Sequence, residues 1–129
     1  MSLRIVVADD HRGMLDWLTA RLGQDFEVVA AVQEGDAALD AVKRLDPDVV
    51  VLDLAMKPIN GLEVMRLIRV SGNNVPVVLI TGYTDPMLRE GAISAGAQGF
   101  VVKSRLVEEL VPTVRDAAQK RIISRKSSA

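Results

Sequence analysis

The runs "DVVVLD" (48–53) and "VPVVLI" (75–80) are apolar at almost every interior position and rich in β-branched residues. A strand with one wet face alternates apolar with polar residues. These runs do not, so both of their faces must be buried, as in a parallel sheet covered on both sides. Three more short runs, "RIVVA" (4–8), "EVVAAV" (27–32) and "GFVVK" (99–103), read as further strands. Between the runs, apolar residues recur at helical spacing: Leu15, Leu18 and Leu22 in the first stretch, Ala38, Val42 and Leu45 in the second. The third helix opens at "NGLE", with Asn60 as cap and Glu63 three residues later. The fourth opens at "DPM", with Asp85 as cap and Pro86 at the first helical position. A fifth is expected from about Ser104 to Lys120. Five alternations of strand and helix imply an α/β fold, a parallel sheet sandwiched between helices and joined by right-handed crossovers. The ending "RIISRKSSA" loses the apolar periodicity, so residues 4–121 are expected as one domain and 122–129 as a basic, Ser-rich tail or linker.

The composition narrows the function. A chain of 129 residues suits a single core. A net charge of -1 gives no overall pull towards nucleic acid or anionic membrane, and no apolar run approaches the ~20 residues that span a bilayer. The absence of cysteine excludes disulfides and thiolate metal sites and fits a reducing cytoplasm. One Trp, one Tyr and two Phe leave little to stack on bases or on a flavin ring.

Ligands of open parallel sheets bind outside the carboxyl ends of the strands, where strand order reverses. The first strand ends in Asp9 and Asp10, the third in Asp53, the fourth in Thr81 with Gly82, and the fifth in Lys103. Two adjacent carboxylates about 4 Å apart repel by roughly 4 kcal/mol at a surface-like dielectric. A hard divalent cation removes that cost, and Mg²⁺ favours a few carboxylates together with phosphate oxygens and water. If the first and third strands are neighbours, Asp9, Asp10 and Asp53 converge on such an ion. A carboxylate, a metal, a hydroxyl and a lysine around one space are the parts needed to move a phosphoryl group. Asp53 is then the nucleophile that forms an acyl phosphate. Thr81 and Lys103 hold the phosphoryl oxygens, and Gly82 keeps the approach uncrowded. His11, the only histidine, reads as a helix-start residue beside the acidic pocket.

The pieces "VVADDH", "VVVLDLAM..NG", "LITGY" and "GAQGFVVK" stand in order over roughly residues 4 to 120. Together they resemble the receiver domain of bacterial two-component response regulators. The resemblance implies a flavodoxin-like (βα)5 sandwich with a five-stranded parallel sheet of order 2-1-3-4-5. It implies phosphorylation of Asp53 by a sensor histidine kinase, with Mg²⁺ held by Asp10, Asp53 and the backbone carbonyl of Ala55. It further implies a switch in which Thr81 moves towards the phosphate and Phe100 changes rotamer. "ADDH" and "GAQGF" are most similar to receivers that precede a helix-turn-helix DNA-binding domain. The expected role is therefore phosphorelay signal transduction, not enzymatic turnover, in the cytoplasm. The expected partners are the kinase, an output domain or target protein, and a second copy in a homodimer. Neither membrane nor nucleic acid is expected to bind the chain directly, which reads as a receiver cut from a longer regulator, with a stand-alone receiver as the alternative.

Three positions depart from the family pattern. Lys57 stands where a proline usually follows the Met of the loop, with Pro58 one residue later. Ser104 follows Lys103, where the family often has a proline after a cis bond. Pro112 lies inside the fifth helix, where it removes a backbone hydrogen bond and predicts a kink. A phosphatase of the haloacid dehalogenase type also uses an aspartate and Mg²⁺, but it spaces its two acids one residue apart and carries a cap domain. A flavodoxin-like electron carrier needs a phosphate-binding loop after its first strand, where two acids would repel the flavin phosphate. A degenerate receiver that only docks proteins would not need Asp9, Asp10, Asp53, Thr81 and Lys103 together.

Overall fold

The computed structural model describes residues 2–82 and 86–128, with side chains through Lys120. In chain order the elements are β1 (Arg4–Ala8), α1 (Arg12–Gly23), β2 (Glu27–Val32), α2 (Gly35–Leu45), β3 (Val49–Asp53), α3 (Gly61–Val70), β4 (Val77–Thr81), α4 (Pro86–Ser94), β5 (Gly99–Val102) and α5 (Leu106–Ser128). A single 3₁₀ turn, Lys103–Arg105, joins β5 to α5. All strand pairs are parallel and their order is β2-β1-β3-β4-β5, the flavodoxin-like topology expected.

Burial explains the uninterrupted apolar runs at 48–53 and 75–80. Every residue of β3 and β4 is buried, whereas β2, at the edge, is not fully buried at any position. Alternate side chains of the sheet feed two cores. On one face Ile5, Val7, Val51, Ile80 and Val101 pack against Leu15, Leu18 and Leu22 of α1 and Leu110 and Val114 of α5. On the other, Val6, Val50, Leu52 and Leu79 meet Ala38 and Val42 of α2, Val64 and Ile68 of α3, and Ala92 of α4. Each large aliphatic side chain so buried contributes roughly 1.5–3 kcal/mol, which holds the strand ends in register.

The helix boundaries have local causes. His11 caps α1, its Nδ1 accepting the Met14 N–H at 3.1 Å. Asn60 caps α3 as expected, its Oδ1 accepting the Glu63 N–H at 2.8 Å. The expected cap of α4, Asp85, lies outside the described residues, and Pro86 is the first helical residue. β4 begins at Val77, two residues later than the apolar run suggested. The Asn73 side chain takes the Val75 N–H at 2.9 Å, and Pro76 has no N–H to offer a ladder. α5 continues across Pro112, which sits on an exposed face where water can meet the carbonyl it leaves unpaired. The same helix runs through residues 122–128, expected as tail, which contain neither Gly nor Pro to stop it. The cis bond among the described residues lies at Lys57–Pro58; Lys103–Ser104 is trans.

Arg69, at the end of α3, fastens the amino-terminal side of β4 and β5. Its Nη1 donates to the carbonyls of Asn73 (3.1 Å) and Val75 (2.7 Å), and its Nη2 to Gly96 (2.9 Å) and to Oε1 of Gln98 (2.8 Å). That Oε1 also accepts the Val77 N–H at 2.9 Å, so one fork ties three segments together. Burial holds this guanidinium below the usual arginine range. A lysine keeps the charge but cannot span four acceptors. Arg69→Lys is therefore expected to cost about 2 kcal/mol in urea denaturation, given the strength of charge-assisted hydrogen bonds. A variant within experimental error of the wild type would mean that these bonds contribute nothing net.

Candidate functional site

Strand order reverses between β1 and β3, and the crevice there opens at the carboxyl ends of the strands. Register puts the candidate residues at one level. Ala8 pairs with Leu52, so Asp9 and Asp53, each one residue on, stand side by side. Asp53 pairs with Ile80, and Thr81 with Val102, which places Thr81 and Lys103 on the adjoining strand ends.

Asp9 is fully buried. Its Oδ1 accepts the His11 N–H at 2.8 Å, while its Oδ2 has no hydrogen-bond partner and lies 3.7 Å from the Lys103 ammonium. Burial pushes the Asp9 carboxyl above the ordinary carboxylate range; the His11 N–H opposes this, the charge of Asp53 adds to it, Lys103 opposes it and Asp10 adds again. Asp53 is also buried, with Oδ1 3.5 Å from the Lys103 ammonium and 3.4 Å from the Ala55 N–H. Asp10 is exposed beside them, and one carboxylate oxygen from each of Asp9, Asp10 and Asp53 lies within 4.8 Å of the others. Because His11 rather than Asp10 caps α1, the Asp10 carboxylate stays available to the cluster.

A divalent cation fits this donor set. Three hard oxygen donors converge, and the partnerless Oδ2 of Asp9 is a buried polar atom that cation-bound water can satisfy. Thr81 is buried at the end of β4. Gly82 is exposed, and a Cβ there would meet no described atom within 4 Å, so the open approach does not depend on glycine. Phe100 is buried on the face of α2, α3 and α4, beside Leu79 on the neighbouring strand. Tyr83, two residues past Thr81, lies outside the described residues.

Sequence reading took Gly61 only as part of a helix start, yet it shapes the site. A Cβ there would sit 2.5 Å from the carbonyl oxygen of Asp53, and the Gly61 N–H donates to the Leu54 carbonyl at 3.1 Å. The loop after Asp53 thus folds back onto the strand end, and only glycine allows that approach. The "NG" before the third helix was the available signal, but it did not say what the glycine would touch.

Residues 5–115 match the family described as the response regulator receiver domain, and the chain belongs to that family. It is 38% identical over 116 residues to the DNA-binding response regulator MtrA of Mycolicibacterium smegmatis, across 89% of this chain and 50% of that protein. The chain spans about half the length of the curated relatives it matches. Among solved structures it resembles a DNA-binding response regulator of the LuxR family from Staphylococcus aureus, with a TM-score of 0.83, 29% identity, and coverage of 90% of this chain and 98% of that one. The BeF3-activated DrrB receiver domain is similar too, with a TM-score of 0.80, 27% identity, and coverage of 92% and 99%.

Asp9→Asn keeps an acceptor for the His11 N–H and removes a buried negative charge. In EDTA at neutral pH the variant should be more stable than the wild type by about 1 kcal/mol, since like charges at this spacing repel more than the single lysine repays. Because the folded-state pKa of Asp9 lies above 3.8, the wild type loses stability as pH rises through that folded value. The advantage of Asp9→Asn should therefore widen between about pH 4 and pH 7. Urea denaturation across that range checks this; a gap that narrows with rising pH would contradict it.

Proposed function

We propose that this receiver takes a phosphoryl group onto Asp53 from a sensor histidine kinase and thereby switches a protein-binding surface. The observation that carries the reading is the buried Asp53 carboxylate, 3.5 Å from the Lys103 ammonium and clustered with Asp9 and Asp10. In the transfer, an Asp53 carboxylate oxygen bonds to phosphorus and the P–N bond of the kinase phosphohistidine breaks, leaving a neutral imidazole after proton exchange. Asp10, Asp53 and the Ala55 carbonyl, with Asp9 beside them, would hold Mg²⁺, whose charge would offset that of the phosphoryl oxygens. Lys103 binds one of those oxygens, Thr81 draws in towards another, and Gly82 borders the approach. Phe100 follows Thr81 into a second arrangement.

The surface formed by α4, β5 and α5 is the proposed output, because Thr81, Phe100 and Lys103 border it. Met87 of α4 and Val107 of α5 are both more than three-quarters exposed there, which suits a partner or a second copy. Phosphorylation favours one of two arrangements, and the partner binds that one better. The output proposed is control of a transcription-regulating domain in the cytoplasm; a net charge of -1 gives no overall attraction to nucleic acid. Among the described residues no helix is long and apolar enough to cross a membrane.

Incubation with acetyl phosphate and Mg²⁺ should add the mass of one phosphoryl group, and Asp53→Asn should not gain it. Undiminished labelling of that variant would remove Asp53 as acceptor. Mg²⁺ at ten times its dissociation constant should raise stability by about 1.4 kcal/mol, and Asp10→Asn should reduce the gain. Ala55 is exposed one residue beyond Leu54 and offers no group to orient water, so the phosphorylated form should decay slowly. Ala55→Asn, and by the same reasoning Tyr83→Asn, should hasten decay of the label. A half-life indifferent to both changes would place neither side chain on the water path.

A further inference from the structure

An open groove of about 870 Å³ runs beside the acidic cluster, lined by Asp10, Gln33, Glu34, Lys57 and Pro58. Its walls come from the loops that follow β1, β2 and β3, and Asp10 belongs both to the groove and to the cluster. Gln33 braces the junction, its Nε2 donating to the Asp10 carbonyl at 3.4 Å. Glu34 immediately precedes α2, where the positive end of the helix offsets its charge. Asp10 is assigned to the cation in the function proposed above. Lys57 is the only cation among the groove residues, is exposed, and forms no ion pair with the described residues. An ammonium with no ion-pair partner among the described residues therefore lines a groove that shares Asp10 with the acidic cluster holding the proposed acceptor.

We propose that this groove receives the leaving group of a small-molecule phosphodonor, and that Lys57 favours donors whose leaving group departs as a carboxylate. The inference rests on Asp53 being the acceptor. With an acyl phosphate, an Asp53 oxygen bonds to phosphorus, the bond from phosphorus to the acyl oxygen breaks, and the electron pair leaves on the carboxylate. Negative charge grows on that oxygen in the transition state, where an ammonium stabilises it. With phosphoramidate the P–N bond breaks and nitrogen leaves as neutral ammonia, so the same ammonium gives no such help. Lys57 thus sets a ratio of rates rather than the presence of reaction.

The test compares the rates at which acetyl phosphate and phosphoramidate label the whole chain at saturating Mg²⁺, read by intact mass. In Lys57→Gln the acetyl phosphate to phosphoramidate ratio should fall about three- to fivefold, the effect a solvent-exposed charge pair supports. Lys57→Arg, which restores the charge, should keep the wild-type ratio. Effects on folding or on Mg²⁺ affinity move both donors together and cancel in the ratio. A ratio that is unchanged or rises in Lys57→Gln overturns this inference while leaving Asp53 as acceptor. Failure of both donors to label the wild type would overturn the acceptor assignment, and this inference with it.

Discussion

Two buried carboxylates, Asp9 and Asp53, share one ammonium, that of Lys103, at 3.7 and 3.5 Å. One positive charge cannot balance two negative ones out of water, and the exposed Asp10 adds a third. The sheet enforces this imbalance. β1, β3 and β5 end where their ladders put them, and their ends cannot part without unpacking the core residues beneath. A site built this way is electrostatically unfavourable as it stands, and a divalent cation among its carboxylates would relieve it. The receiver fold thus keeps a standing electrostatic demand at the edge of a rigid apolar scaffold.

The two ends of the sheet are built on opposite principles. At the amino-terminal ends of the strands, polar groups are closely satisfied. The Arg4 side chain donates to the carbonyls of Leu45 and Asp46 and its backbone N–H donates to the Asp48 carboxylate, while Arg69 joins α3 to the approaches of β4 and β5. At the carboxyl ends, a fully buried oxygen of Asp9 has no hydrogen-bond partner. Closely paired polar groups hold one end of the sheet, and at the other end loops surround the acidic cluster. Lys57 and the Lys57–Pro58 bond lie in such a loop.

Communication outward must pass through packed side chains. Thr81 ends a strand buried at every position, and Phe100 packs in the core one strand away, at the level of Leu79. A core of this density moves between discrete arrangements rather than deforming smoothly. A change at Thr81 therefore has a short route to β5 and the helices beside it.

Much of this was legible in the residues alone. Uninterrupted Val, Leu and Ile at 48–53 and 75–80 demand burial on both faces, and that requirement leads to a parallel sheet between helices. Acids, threonine and lysine at successive strand ends mark the candidate site, because a parallel sheet gathers its strand ends on one side. Local chemistry named the Asn60 cap correctly for the same reason: a cap needs only the residues next to it. Contacts between distant segments could not be read in this way. The fork of Arg69 across Asn73, Val75, Gly96 and Gln98, the approach of Gly61 to the Asp53 carbonyl, and the joining of Lys57 with Asp10 in one groove each depend on how loops pack. Periodicity and capping act over a few residues and are written in the chain, whereas the distance between two loops is set only once the core beneath both has closed.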